Sequence, residues 1–252
     1  MAARTRSLTA LGGAALVALV ATGCGNTDVA DAPVEKKSFA YSGKSLTVNS
    51  DSSDLELVPA DIKEIQVERQ VSGAVPGSNP DLVWKLDGDT LTLKLKCTGI
   101  SVNCKARYSV KVPRDVALTV GNDNGLIRAT GFTTGLRAKT DNGEVRLKDM
   151  SGAELDLESD NGRIDGEGIS AKSVTARTDN GEVRLNFTAV PDLLEAQSHD
   201  GGIRLGLPKA MYKVDTSAKK GDITVDVPQA DDSTHVVTAS TRNGDITIET
   251  AR

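Results

Sequence analysis

Residues 141–147 read Asp-Asn-Gly-Glu-Val-Arg-Leu, and the same seven residues return at 179–185. Working outward, related turns place glycines at Gly125, Gly143, Gly162, Gly181, Gly201, Gly221 and Gly244. Their spacings of 18, 19, 19, 20, 20 and 23 residues mark a repeat array. Seven residues before each glycine stands a branched aliphatic: Leu118, Leu136, Leu155, Val174, Leu194, Val214 and Val237. Two residues after it stand Ile127, Val145, Ile164, Val183, Ile203, Ile223 and Ile246. Five before it the residues are mostly small, among them Ala138, Ala176, Ala196 and Ala239, with Thr216 in the same column. This period of two on both sides of the turn predicts two short strands per unit, each with one face inward. The turn glycine is expected to supply a positive φ.

Asn-Gly between strands fits either a hairpin meander or a solenoid whose units stack in register about 4.8 Å apart. The charges decide. Four residues before the glycine, successive units carry Lys139, Glu158 and Arg177; one after it, Glu144, Arg163 and Glu182; three after it, Arg146, Asp165 and Arg184. Six before it, Arg137 meets Asp156. Such alternation matters only if equivalent positions are adjacent, because like charges at that spacing repel by about 1 kcal/mol even in water. The expected fold is therefore all-β, a solenoid of stacked rungs of about 19–20 residues, regular over 114–252.

The stretch 38–113 is a divergent N-terminal part of the same domain. With Ser53 in the glycine position, Leu46, Val48, Leu55 and Leu57 fall on the inward columns. Four β-rich runs follow, at Glu64–Val71, Leu82–Leu86, Thr90–Cys97 and Ala106–Val112, interrupted by the loop Val75–Pro80 and closed by Pro113. No segment carries a helical period.

The chain has 252 residues and a net charge of −5, with 3% aromatics. That balance gives no general attraction to nucleic acid, and the scarcity of rings argues against an aromatic-lined groove. Residues 1–23 combine Arg4 and Arg6 with an apolar run, Leu8 to Val20, too short for a membrane span and typical of an export signal. Its end, Val20-Ala21-Thr22-Gly23-Cys24, resembles the lipobox of bacterial lipoproteins, with Ala21 where that family usually has leucine. The resemblance implies cleavage before Cys24, attachment of palmitate-type lipid at that cysteine, and a protein held at the outer face of the membrane. The stretch 24–37, polar and small, is expected to be the lipid-anchored linker. In an oxidising compartment Cys97 and Cys104 are expected to pair as a disulfide, closing a loop that contributes about 2–3 kcal/mol.

From about Lys44 to Arg252 the chain resembles a bacterial family of unknown function whose members carry the label putative adhesin. The motifs are Ser50-Asp51-Ser52-Ser53-Asp54-Leu55, Val110-Lys111-Val112-Pro113, the two Asp-Asn-Gly-Glu-Val-Arg-Leu copies, Lys220-Gly221-Asp222-Ile223 and Asn243-Gly244-Asp245-Ile246. The resemblance implies a β-solenoid at the cell envelope and adhesion at a surface, and it carries over no catalytic residues.

Two columns are candidate sites. Asp123, Asp141, Asp160 and Asp179, two before the glycine, could offer oxygens to calcium. Aspartate is also favoured in turns for its bonds to nearby backbone, and the glycine-rich nonapeptide of calcium solenoids is absent, so the turn reading is preferred and no metal or cofactor is expected. Arg128, Arg146, Arg184 and Arg204, three after the glycine, could present guanidinium forks to anionic groups, against the alternative of a solvated face neutralised at Asp165. Ser198-His199-Asp200 has the letters of a hydrolytic triad, but neighbouring strand residues point to opposite faces. His199 replaces the aspartate of its column, and His235 sits in a polar link. The reading is a non-enzymatic envelope lipoprotein that presents a rigid surface for adhesion, to a cell-wall polymer or an envelope protein. Its contenders are an envelope-stress accessory protein bound to a membrane sensor and a glycan-processing solenoid enzyme.

Overall fold

The computed structural model describes residues 28–72, 81–96 and 104–251. A 3-10 turn at Val29–Asp31 precedes β1 (Glu35–Ala40), β2 (Ser45–Ala60), β3 (Glu64–Ser72), β4 (Asp81–Asp87), β5 (Thr90–Lys96) and β6 (Lys105–Pro113). The regular units then supply strand pairs: β7 (Ala117–Asn124) with β8 (Ile127–Thr130), β9 (Leu136–Asn142) with β10 (Val145–Lys148), and β11 (Glu154–Asn161) with β12 (Ile164–Ile169). They continue as β13 (Ser173–Asn180) with β14 (Val183–Phe187), and β15 (Leu193–Asp200) with β16 (Ile203–Leu207). The last two are β17 (Lys213–Lys220) with β18 (Ile223–Asp226), and β19 (Val236–Asn243) with β20 (Ile246–Thr250).

The units form a β-solenoid stacked in parallel and in register, as the charge alternation requires. Leu155 stands between Leu136 and Val174, and Val145 between Ile127 and Ile164. The first strand of each unit builds one face of the solenoid, the leading face; the second builds the trailing face. The 16-residue β2 runs through both, pairing Leu46 with Leu118 and Val48 with Val120 on the leading face and Leu55 with Ile127 on the trailing face. The divergent copy thus occupies the columns expected of it. β5 and β6 add one more parallel layer beside β2. Antiparallel β4 on β5, β3 on β6 and β1 on β3 close this N-terminal end, where the guanidinium of Arg69 lies 4.2 Å over the Trp84 ring. The stretch expected to be linker contains the 3-10 turn and the start of β1, and Gln70 Nε2 donates to the carbonyls of Ala30 and Ala32.

Between the faces run columns of aliphatic side chains, two from the first strand of each unit and two from the second. Leu155, Val174, Leu194, Val183 and Ile164 are fully buried, and each such side chain contributes about 1.5–3 kcal/mol by leaving water.

The last two units do not stack in chain order. β19 pairs with β15 on one side and β17 on the other, and β20 likewise lies between β16 and β18. The final unit is inserted into the stack, and β17–β18 forms its C-terminal end. Burial explains the exchange. Val237, Ala239, Ile246 and Ile248 of the inserted unit are fully buried, whereas Ile223 of the end unit is 43% exposed and its inward column includes Thr216. The more apolar unit takes the covered seat. Two linkers make the crossing, tied by Tyr212 N donating to Pro228 O and Ala230 N to Tyr212 O. Tyr212 is itself fully buried, and its hydroxyl donates to Pro208 O at 2.7 Å.

Candidate functional site

The turn columns differ from expectation in what requires the glycine. Positive φ occurs at Gly125, Gly201, Gly221 and Gly244 but not at Gly143, Gly162 or Gly181. At those three the reason is close stacking, since a β-carbon would fall 1.8–2.0 Å from the glycine carbonyl oxygen of the preceding rung. From Gly143 to Gly201 that carbonyl has a fixed donor. One layer inward, the hydroxyls of Ser159, Thr178, Ser198 and Thr241 each donate at 2.9 Å to Gly143 O, Gly162 O, Gly181 O and Gly201 O. These hydroxyls are buried and spoken for. Ser198 therefore points inward while His199 is exposed, and the Ser-His-Asp run forms no relay; His199 Nδ1 lies 2.8 Å from Asp200 Oδ2. His235 is half-buried, with Nδ1 3.0 Å from Pro191 O and its ring edge-on to Tyr212.

Beside the aspartate column, one residue nearer the glycine, a ladder of side-chain amides climbs the stack. Asn142 Nδ2 donates to Asn124 Oδ1 at 3.2 Å, Asn161 to Asn142 at 3.1 Å and Asn180 to Asn161 at 2.9 Å. Further along, Asn243 donates to Asp200 Oδ1, and this bond together with the His199 contact lowers the Asp200 carboxyl below its ordinary pKa. Sequence reasoning attended to the aspartates and missed this ladder, although the four asparagines stood in plain register.

The arginine column lies on the trailing face. Arg146 stands across from Arg128 on one side and Asp165 on the other, and Arg184 between Asp165 and Arg204. Two of the four are neutralised from two residues back, just ahead of their own strands: Arg146 by Glu144 at 2.6 Å and Arg184 by Glu182 at 2.9 Å. Arg128 and Arg204 have no ion pair among the described residues.

The leading face carries the more extended feature. A depression of about 570 Å³ spans β11, β13, β15, β19 and β17, and another of about 480 Å³ adjoins it across β9, β7, β2 and β5. Together they trace a polar strip along nine neighbouring strands. Its floor is the buried polar column, from Ser50 and Asn122 to Thr241, and its walls are the outward columns four and two before the glycine. Aromatic rings play no part in either lining apart from the His199 imidazole.

The two walls are charged differently. In the column four before the glycine, Lys139 pairs with Glu158 at 2.7 Å, and Arg177 reaches across to Glu195 of the column six before it at 2.9 Å. The Glu158 bond raises the Lys139 pKa above its ordinary value. In the column two before it, spatial order gives Asp123, Asp141, Asp160 and Asp179, then His199, Arg242 and Lys219, because the inserted unit precedes the end unit. The acids occupy one half of this wall and the bases the other. Among the described residues no group of three or more histidine, cysteine or acidic side chains is placed to hold a metal ion.

Cys104 is held in a disulfide. Its expected partner Cys97, the lipid-attachment candidate Cys24 and the export signal lie outside the described residues.

Residues 43–252 match the Toastrack DUF4097 family. No curated protein matches the chain. Among solved structures, a putative cell adhesion protein from Clostridium sporogenes is similar at 12% identity and a TM-score of 0.35, covering 86% of this chain and 100% of its own. A putative adhesin from Parabacteroides distasonis is similar at 11% identity and a TM-score of 0.41, with 86% and 97% covered. A third, a putative adhesin from Parabacteroides merdae, gives 12% identity and 0.33, with 88% and 98% covered.

Proposed function

The chain belongs to the Toastrack DUF4097 family, and we propose that it is a non-enzymatic, lipid-anchored protein of the bacterial cell envelope whose rigid ladder binds an extended partner. The polar strip along nine strands of the leading face carries this reading. Its walls are polar and charged, so it suits a ligand that is itself polar and repetitive, and backbone ladders hold its spacing fixed. The Ser198 hydroxyl is committed to Gly181 O, which favours binding over hydrolytic chemistry at the one triad-like run.

With lipid on Cys24, the tether would be short. Four residues, 25–28, separate that cysteine from the turn at Val29–Asp31, a reach of at most about 18 Å. The antiparallel N-terminal cap then sits at the bilayer, with the rungs leading away from it.

The test is a pull-down with the chain lacking its first 24 residues against intact envelope and purified wall polymers. Retention on a polymer, lost on changing Arg242 with Lys219 and kept on changing Arg146 with Arg184, supports the reading; the reverse pattern moves binding to the trailing face. Recovery of a single membrane protein with no polymer moves the function to a sensor accessory. Retention of neither overturns it.

A further inference from the structure

The charged wall of the strip has an unusual property: reversed end for end, it complements itself. Asp141, Asp160, Asp179, Arg242 and Lys219 form no ion pair within the chain among the described residues, although the columns beside them are laced with pairs. Asp141, Asp179, Arg242 and Lys219 are exposed, and Asp160 is partly so. Free charges of one sign in one half and of the other sign in the second half are what an isologous two-fold contact needs.

We infer that the leading face pairs with the same face of a second copy, the two solenoids antiparallel, about a two-fold axis parallel to the strands and midway between β13 and β15. In that arrangement each column faces its own reverse. Two before the glycine, Asp141 meets Lys219 of the other copy, Asp160 meets Arg242 and Asp179 meets His199. Six before it, Arg137 meets Asp215, Asp156 meets Thr238 and Thr175 meets Glu195. Four before it, Lys139 meets Ser217, Glu158 meets Ser240 and Arg177 meets Gln197. No like charges face each other in any of the three columns.

The axis position is selective. Moving it one rung toward the N-terminal end sets Asp160 against Asp179. Centring it on β15 sets Glu195 on itself and Asp156 against Asp215. The inserted unit matters too: with β17 ahead of β19, as in chain order, Asp156 would meet Asp215 in the favoured arrangement. Six rungs about 4.8 Å apart make a contact strip about 24 Å long. Complementarity of this kind fixes partner and register more than it gives raw affinity, so pairing is salt-sensitive.

The pairing stands independently of the tether. Taken together with the lipid anchor proposed above, it has a direct use. The two N-terminal caps lie at opposite ends of the antiparallel pair, so the contact joins copies held on facing surfaces.

Sedimentation equilibrium of the chain lacking its first 24 residues, which retains every described residue, tests the inference. At low salt a monomer–dimer equilibrium is expected, weakening about tenfold or more by about 0.5 M salt. Asp160→Arg alone and Arg242→Asp alone are each expected to abolish self-association, since each sets like charges together twice. Mixing the two variants is expected to restore a heterodimer. The arginine introduced in one chain then faces the aspartate introduced in the other, and the unaltered Arg242 of the first faces the unaltered Asp160 of the second. Arg146→Ala with Arg184→Ala, on the other face, leaves pairing unchanged. A chain that is monomeric at every salt up to about 200 µM overturns the inference, as does a dimer indifferent to either reversal or a mixture that stays monomeric. Polymer retention by such a monomer would leave the binding function standing and only the pairing refuted.

Discussion

A β-carbon added to Gly162 would lie 1.8 Å from the carbonyl oxygen of Gly143 on the rung beneath. No side-chain rotation can relieve a clash between two backbones, so the rungs would have to part locally. Gly162→Ala is expected to cost about 1–3 kcal/mol in urea unfolding. Gly121→Ala is the control, because its β-carbon would meet only Asn49 Oδ1 at 3.4 Å. That exchange should be neutral or slightly stabilising.

Asn161 both donates to Asn142 and accepts from Asn180. Asn161→Asp keeps the acceptor and removes the donor, and it places a new charge beside Asp160. A loss of about 1 kcal/mol is expected, larger at low salt than at high salt. Equal losses at both would show that the ladder matters and the charge does not.

Asp165 separates Arg146 from Arg184. Asp165→Arg aligns three guanidinium groups, with Arg128 and Arg204 at the flanks making five. The melting temperature is expected to fall, by the equivalent of about 1–2 kcal/mol, and to recover partly with added salt. An unchanged melting temperature would mean that the column is too well hydrated for its alternation to contribute.

The cysteines give two measurements that do not depend on any ligand. Fatty-acid labelling in a bacterial host should disappear in Cys24→Ala and persist in Cys97→Ala. Thiol titration of the unfolded chain lacking its first 24 residues should find no free thiol, since Cys104 is disulfide-bonded and Cys97 is the one other cysteine left.

Most of the solenoid was legible because each column repeats one kind of residue. Leu136, Leu155 and Val174 announce an inward position, and Arg137 with Asp156 announces that the rungs are adjacent. Even Ser53, which is no glycine, was placed correctly by its flanking Leu46, Val48, Leu55 and Leu57. The order of the last two units was not legible, for the same reason that the register was. Val214 and Val237, or Ile223 and Ile246, satisfy the same columns, so the pattern accepts either order. Two signals did bear on it: the 23-residue spacing from Gly221 to Gly244, long enough for a return crossing, and Thr216, a poor choice for a covered seat. The charge-segregated wall was hidden behind that ambiguity, and the asparagine ladder behind turn chemistry, which by itself accounts for an asparagine before a turn glycine.

The inserted position of β19–β20 has a bearing on how the molecule comes into being. A polypeptide is made from its N-terminus, so in an ordinary array the rungs can be laid down in the order they arrive, and a ragged tail costs only the outermost layer. Here the penultimate seat waits for residues 236–250, which are synthesised after the unit that ends the stack. A chain lacking residues 236–250 would leave β17–β18 without the neighbours they pair with, so the loss of that one unit unseats the one made before it.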